Sequence, residues 1–117
     1  MTSFRPDHGP SIAREQVAPG QVILDVRGED EWAAGHIESA VHVPIDRLAN
    51  RMLYEPGVLL SDEPLVVTCK GGGRAGHAVS WLNHNGFDAV VLDGNMLGWQ
   101  AAGLPLVSET GHEPDVI

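Results

Sequence analysis

Three short apolar runs most constrain the fold of this chain. They occupy residues 22–26, Leu65–Thr68 and Ala89–Leu92, and they are rich in branched side chains. Short runs that are apolar throughout, rather than alternating, are typical of strands covered on both faces of a sheet. Stretches with helix signals separate these runs, and strands that alternate with helices form mainly parallel sheets. The chain is therefore predicted to be an α/β protein.

Helix signals fill the stretches between the runs. Glu29–Ala34 carries acids in its first turn and is followed by Gly35, a common helix stop. Further along, apolar residues recur at i, i+3, i+4 and i+7, which predicts a helix that begins near Arg74 and stops near Gly86. The remaining predicted elements are a helix at residues 12–17 capped by Ser11, a short strand at residues 41–43, a helix from Asp46 as its cap to about residue 53, and a helix at residues 96–102.

Length and local composition predict one domain with two short extensions. A chain of 117 residues suits a single core. Residues 1–10 contain two prolines and a glycine and are predicted to form an irregular arm. Residues 108–117 are polar and are predicted to form a loose tail. The domain itself is thus expected at residues 11–107.

Charge and cysteine content exclude several classes of function. Sixteen acidic residues face seven basic ones, for a net charge of −9, and Lys70 is the sole lysine. Such a chain is not expected to bind nucleic acid, which needs clustered Lys and Arg. No apolar stretch approaches membrane-spanning length and the N-terminus has no apolar signal core, so no membrane association is expected. A single cysteine fits a reducing cytoplasm.

That cysteine, Cys69, follows one predicted strand and precedes a predicted helix. Ligands of parallel sheets gather at the carboxyl ends of strands. The free N–H groups of a helix N-terminus favour a thiolate, and Lys70 and Arg74 add nearby cations. Three glycines, residues 71–73, leave the loop amides free to turn inward as an anion-binding nest. The loop from Cys69 to Arg74 is therefore predicted to hold a reactive sulfur.

Three blocks in this order resemble the single-domain rhodaneses, members of the sulfurtransferase superfamily. They are LDVR at residues 24–27 with Glu31 and GHIESAVHVP at residues 35–44; CKGGGR at residues 69–74; and LDG, GW and AGLP at residues 92–94, 98–99 and 102–105. The resemblance covers about residues 11–107. It implies a three-layer fold with a mainly parallel, five-stranded sheet and helices on both faces.

The resemblance also implies a chemistry. Cys69 takes sulfane sulfur from a small anionic donor such as thiosulfate, becomes a persulfide, and passes the sulfur to cyanide or a thiol. By resemblance, the backbone amides of residues 70–74, including Gly71, Gly72 and Gly73, bind the persulfide, while Lys70 and Arg74 attract the donor. No cofactor and no metal are expected. A persulfide carrier or regulatory module that acts with a sulfur-relay protein is the alternative.

Residues of the first block are assigned supporting roles. Arg27 is predicted to reach the mouth of the pocket and to contact substrate. Asp25 is predicted to form a structural ion pair, and His36 to make a structural hydrogen bond. Two residues depart from the family pattern: Ala75 follows Arg74 where serine is frequent, and Asn95 follows Gly94 where a second glycine is frequent.

Other interpretations of the same residues are less favoured. Cysteine phosphatases and arsenate reductases of related fold place five residues between cysteine and arginine, whereas four separate Cys69 from Arg74. The glycines at residues 71, 73 and 76 match a dinucleotide-binding fingerprint, with Asp93 after the next strand, but little chain remains for such a fold. The six histidines show no tight pair at metal-ligand spacing.

Overall fold

The computed structural model describes residues 3–5 and 9–117, with side chains from residue 10 onward. These residues form a six-stranded sheet in the order β1-β2-β6-β5-β3-β4. The strands are β1 (Ser3–Arg5), β2 (Gly9–Ile12), β3 (Ile23–Asp25), β4 (Val41–His42), β5 (Leu65–Thr68) and β6 (Ala89–Leu92). The helices are α1 (Glu29–Ala34), α2 (Ile45–Tyr54), α3 (Gly73–His84) and α4 (Asn95–Ala101), with single 3₁₀ turns at Arg14–Gln16 and Gly57–Leu59.

The sheet is mainly parallel, as predicted. Strands β2, β6, β5, β3 and β4 pair in parallel, which supplies the five strands expected. Strand β1 adds a sixth, antiparallel edge to β2. Strand β5 lies between β3 and β6, with Leu24 opposite Val67 and Val67 opposite Val91. The carboxyl end of β5, where Cys69 follows, is thus at the middle of the sheet.

Helices cover both faces of the sheet, which confirms the three-layer prediction. Leu65 and Val67 of β5 pack in one cluster with Leu82 of α3 and Leu48 of α2. The intervening Val66 belongs to the cluster on the other face, together with Met96 of α4. Full burial of one such side chain contributes roughly 1.5–3 kcal/mol, so a strand apolar on both sides stabilises both layers.

Most element boundaries agree with the sequence prediction. Strands β5 and β6 and helix α1 occupy the predicted residues. Helix α2 begins two residues earlier than predicted, because the Ile45 N–H donates to the Val26 carbonyl and the chain enters the helix at Pro44. Asp46 therefore lies in the first turn and is not the cap. No helix in the described ranges is both long and apolar enough to cross a bilayer.

The prediction at the N-terminus is wrong. Ser11 and Ile12 do not begin a helix; they are buried and pair with Val91 and Leu92 of β6. Only the short turn Arg14–Gln16 is helical. The predicted irregular arm is partly strand, since β1 pairs with β2, while residues 1, 2 and 6–8 lie outside the described residues. Pairing with a strand 80 positions along the chain leaves no local signature in the sequence.

The C-terminal segment is not the loose tail predicted. The N–H groups of Glu109 and Asp115 donate to the carbonyls of Ala33 and Ala34, at 2.8 and 2.9 Å. These carbonyls end α1 and would otherwise lack helical partners. Val116 is buried in the cluster around Val66 and Met96. The segment therefore packs against the domain.

Candidate active site

The loop that begins at Cys69 connects β5 to α3 through a backbone conformation suited to glycine. Cys69 is 1% exposed. Gly72, the residue before α3, has a φ of +118°. L-residues rarely adopt this conformation, whereas glycine adopts it without a steric penalty. Gly72 thus allows the chain to turn sharply around the cysteine and enter the helix.

Two backbone amides donate to the sulfur of Cys69. The N–H of Gly72 lies 3.0 Å from Sγ, and the N–H of Ala75 lies 3.3 Å from it. Both donors converge on the sulfur, which is the arrangement of an anion-binding nest. The Gly72 amide is among those predicted. Ala75 was not predicted as a site residue, although an amide in the first turn of a helix is free to donate.

Helix α4 holds the loop from its other side. The Met96 N–H donates to the Cys69 carbonyl at 3.0 Å, and the Leu97 N–H donates to the Lys70 carbonyl at 3.1 Å. In a planar trans peptide the C=O and the following N–H point in opposite directions. The N–H groups of Lys70 and Gly71 therefore face away from α4.

Asn95 is a site residue that sequence reasoning missed. Its Oδ1 accepts the Cys69 backbone N–H at 3.0 Å and lies 3.5 Å from the Thr68 hydroxyl. The side chain is buried, and its φ is +51°, in the left-handed region that asparagine tolerates. The only signal in the sequence was the departure from a second glycine at this position.

Arg74 is paired with Glu31 across 43 positions of sequence. Nη1 and Nη2 donate to the two carboxylate oxygens at 2.6 and 2.9 Å. Glu31 also accepts the Gly28 N–H at 3.1 Å. The bond to Arg74, then that to Gly28, lowers the pKa of Glu31 to about 2, and Glu31 in turn raises the pKa of Arg74. Glu31 was part of the first sequence block but was not predicted to contact the loop arginine.

Arg27 does not reach the mouth of the pocket, contrary to prediction. Its side chain is 0% exposed and forms a buried ion pair with Asp25 at 2.8 Å. Its Nη2 also donates to the Gly35 carbonyl at 2.7 Å. The cause is local: Asp25 accepts the Arg27 backbone N–H as well, so the chain folds the guanidinium back over its own strand end. Asp25 makes the ion pair predicted for it.

His36 makes hydrogen bonds from both ring nitrogens. Nδ1 lies 3.0 Å from the Ile37 carbonyl, and Nε2 lies 2.9 Å from a carboxylate oxygen of Glu109. The ring stacks on Trp32 with centroids 3.5 Å apart, and His42 stacks on the same indole at 4.6 Å. These contacts tie the GHIESAVHVP segment to α1 and to the C-terminal segment, which is a structural role.

Cys69 lies at an open pocket of about 390 Å³, lined also by Ile45, Gly71, Gly73, Arg74 and His77. Lys70 instead lines an adjoining surface with Gly28, Glu29, Asp30, Glu31 and Ile117. The structure thus brings Arg74 and the loop glycines to the cysteine and places Lys70 to one side. Within the described ranges, no three His, Cys, Asp or Glu side chains are grouped to hold a metal ion.

Comparison with known proteins agrees with this geometry. The family model for the rhodanese-like domain matches residues 10–102. A rhodanese-related protein from Thermoplasma volcanium superposes with a TM-score of 0.72 and 28% identity, over 83% of this chain and 96% of the other.

Two curated relatives are longer proteins. An HTH-type transcriptional regulator of Mycobacterium tuberculosis is 35% identical over 81% of this chain and 41% of its own length. A tRNA uridine(34) hydroxylase of Salmonella paratyphi B is 32% identical over 75% of this chain and 27% of its own length. The chain therefore spans less than half of either relative. By the family match and the structural likeness together, the chain belongs to the family of rhodanese-like domains.

Proposed function

We propose that this protein is a sulfurtransferase that carries sulfane sulfur as a persulfide on Cys69. The observation that carries the proposal is the bonding of Sγ: two amides at the start of α3 donate to it at 3.0 and 3.3 Å, beside an open pocket. Membership of the rhodanese-like family supports sulfur transfer as the class of reaction. The donor, the acceptor and the persulfide intermediate are likewise proposed.

In the first step the Cys69 thiolate attacks the outer sulfur of a donor. A new S–S bond forms, the old bond to that sulfur breaks, and the donor's leaving group departs with the bonding electron pair. The terminal sulfur then lies among the loop amides, where the N–H groups facing away from α4 stabilise its charge. In the second step cyanide or a thiolate attacks the terminal sulfur and releases Cys69 as a thiolate.

A carrier that acts with a relay protein shares the first step. Its acceptor is a thiol on a partner protein rather than a small molecule. Similar sequences occur within two longer proteins, where they cover 41% and 27% of the length. This occurrence supports the carrier role as the second candidate. In either role Cys69 must return to a thiol, which suits a cytoplasmic location.

The geometry gives less support to phosphoryl transfer or dinucleotide binding. Gly72 and Ala75 direct their amides at Sγ rather than at an open space of phosphate size. The same contacts engage the amides that a pyrophosphate at the glycine fingerprint would require. Generic phosphate esters and NAD serve as probes for these activities.

Intact-protein mass spectrometry tests the proposal. The protein, treated with thiosulfate or with the freshly generated hydropersulfide of 2-mercaptoethanol, should gain one sulfur atom that dithiothreitol removes. The Cys69→Ser variant should gain none. Absence of sulfur uptake from every donor would overturn the proposal, as would turnover of a phosphate ester that requires Cys69.

A further inference from the structure

The arginine that lines the Cys69 pocket is already engaged. Arg74 lines the Cys69 pocket, yet both of its terminal nitrogens donate to the carboxylate of Glu31, at 2.6 and 2.9 Å. This two-bond pairing uses the part of a guanidinium that would otherwise bind two oxygens of an anionic substrate. The side chain of Glu31 is only 21% exposed, which limits screening of the pair by water.

The surroundings of the pocket do not restore the positive charge. The adjoining surface holds Lys70 but also Glu29, Asp30 and Glu31. That surface therefore carries three acids against one base, while Arg74, which is already paired, is the arginine that lines the Cys69 pocket itself. An incoming dianion therefore finds the pocket's guanidinium already paired and a surface of net negative charge beside the pocket.

The charge of the leaving group determines which sulfur donors can react at such a site. Thiosulfate is a dianion, and its transfer of sulfur releases sulfite, a second dianion with three oxygens that needs a cation beside it. A hydropersulfide, R–S–S–H, carries at most one negative charge and releases a simple thiolate. The second class makes no use of a free guanidinium.

A groove next to the pocket suits the R group of such a donor. It lies between α2 and α3, has a volume of about 170 Å³, and shares Ile45 and His77 with the Cys69 pocket. Its other lining residues are Leu48, Ala49, Ala78 and Trp81. An uncharged organic group can lie there, whereas sulfite has no such group.

We propose that Glu31, by holding Arg74, selects hydropersulfides of uncharged thiols over thiosulfate as sulfur donors for Cys69. The proposal rests on the sulfurtransferase function proposed above. In the step, the Cys69 thiolate attacks the outer sulfur of R–S–S–H. The bond to the inner sulfur breaks, R–S⁻ leaves with the bonding pair, and the outer sulfur keeps its hydrogen to give Cys69–S–S–H, which then loses a proton. No oxidant or reductant is needed.

The test compares two donors on four proteins. Rates of sulfur gain on Cys69 are measured by mass spectrometry with thiosulfate and with the hydropersulfide of 2-mercaptoethanol. The proteins are the wild type, Glu31→Gln, Arg74→Gln and Glu63→Gln. Glu63→Gln is the matched control, because the exposed Glu63 lies before β5 at the opposite end of the strand from Cys69.

The wild type should prefer the hydropersulfide. Glu31→Gln should raise the thiosulfate rate about tenfold, since it frees a unit charge near the thiolate, and should change the hydropersulfide rate little. Arg74→Gln should lower the thiosulfate rate, because it leaves Glu31 without its partner beside the pocket. Glu63→Gln should keep the wild-type ratio. Thermal unfolding followed by circular dichroism shows that each variant is folded.

Two results would overturn the selection by Glu31: a wild type that uses both donors equally, or a donor ratio that Glu31→Gln leaves unchanged while sulfur still loads on Cys69. Failure of the proposed function looks different, because Cys69 then gains sulfur from neither donor in any of the four proteins.

Discussion

The side-chain oxygen of Asn95 accepts the backbone N–H of Cys69 at 3.0 Å, across 26 positions of sequence. This bond joins the start of α4 to the nucleophile. The Cys69 N–H donates to Asn95, whereas Sγ of the same residue accepts from the Gly72 and Ala75 amides. Asn95 thereby fixes the peptide from which the reactive sulfur projects.

Replacing Asn95 should therefore weaken the loop. Asn95→Gly restores the frequent family residue and relieves the positive φ, but it leaves the buried Cys69 N–H without its acceptor. We expect a net loss of about 1–2 kcal/mol in the free energy of unfolding, measured by urea denaturation. Asn95→Asp keeps an acceptor but adds a charge near the thiolate, so it should slow alkylation of Cys69 by iodoacetamide at neutral pH. Unchanged stability in Asn95→Gly would contradict a positioning role.

The Glu31–Arg74 pair should make the free energy of unfolding depend on pH in the acidic range. The folded pKa of Glu31 is about 2, below its ordinary value of 4.5. The contribution of the pair to the free energy of unfolding is therefore complete above pH 4.5 and is lost as the pH falls towards 2. We expect Glu31→Gln to cost about 1–2 kcal/mol at pH 7 after solvent screening at the partly exposed Arg74. Urea denaturation of both proteins should show this difference shrinking between pH 4.5 and pH 2.5; a constant difference would argue against the pair.

The left-handed backbone at Gly72 should not accept a side chain. Gly72→Ala places a Cβ at a φ of +118°, and we expect a loss of at least about 1 kcal/mol in unfolding free energy, together with slower persulfide formation as the amide moves away from Sγ. Gly71→Ala is the matched stability control, because a Cβ there lies in ordinary contact, 4.0 Å from Leu97. Equal stability of the two variants would show that the turn is not constrained at Gly72.

Because Arg27 is buried, a substitution there tests whether its role is structural or substrate-binding. Arg27→Gln removes one partner of a fully buried ion pair and leaves the buried Asp25 without it, which costs about 3–5 kcal/mol. We expect a large fall in thermal stability, measured by circular dichroism. A variant of normal stability but poor donor affinity would instead place Arg27 at the substrate.

The packing of the C-terminal segment can be tested at two neighbouring residues. Val116 is 8% exposed and Ile117 is 50% exposed. Val116→Ala should lower the free energy of unfolding by about 1–2 kcal/mol, because it removes buried methyl groups. Ile117→Ala should change it by less than about 0.5 kcal/mol. Similar small effects at both positions would mean that the segment is not part of the core.

Local pattern was sufficient for the central part of the fold. The strands Leu65–Thr68 and Ala89–Leu92 are apolar on both faces because helices cover both, so burial and sequence pattern carry the same information. The pattern failed at Ser11 and Ile12, because these two strand residues pair with a strand that lies far along the chain.

The same division applies to the site. The nucleophile and its loop could be predicted from the residues alone, because a cysteine, three glycines and two cations stand within six consecutive residues at a strand end. The partners of these groups became visible in the folded chain: Arg74 pairs with Glu31, the Cys69 amide donates to Asn95, and Arg27 pairs with Asp25. The physical reason is that backbone conformation follows short-range preferences, whereas a charged or polar side chain takes its partner from whatever residues the packing of the whole chain brings within hydrogen-bonding distance.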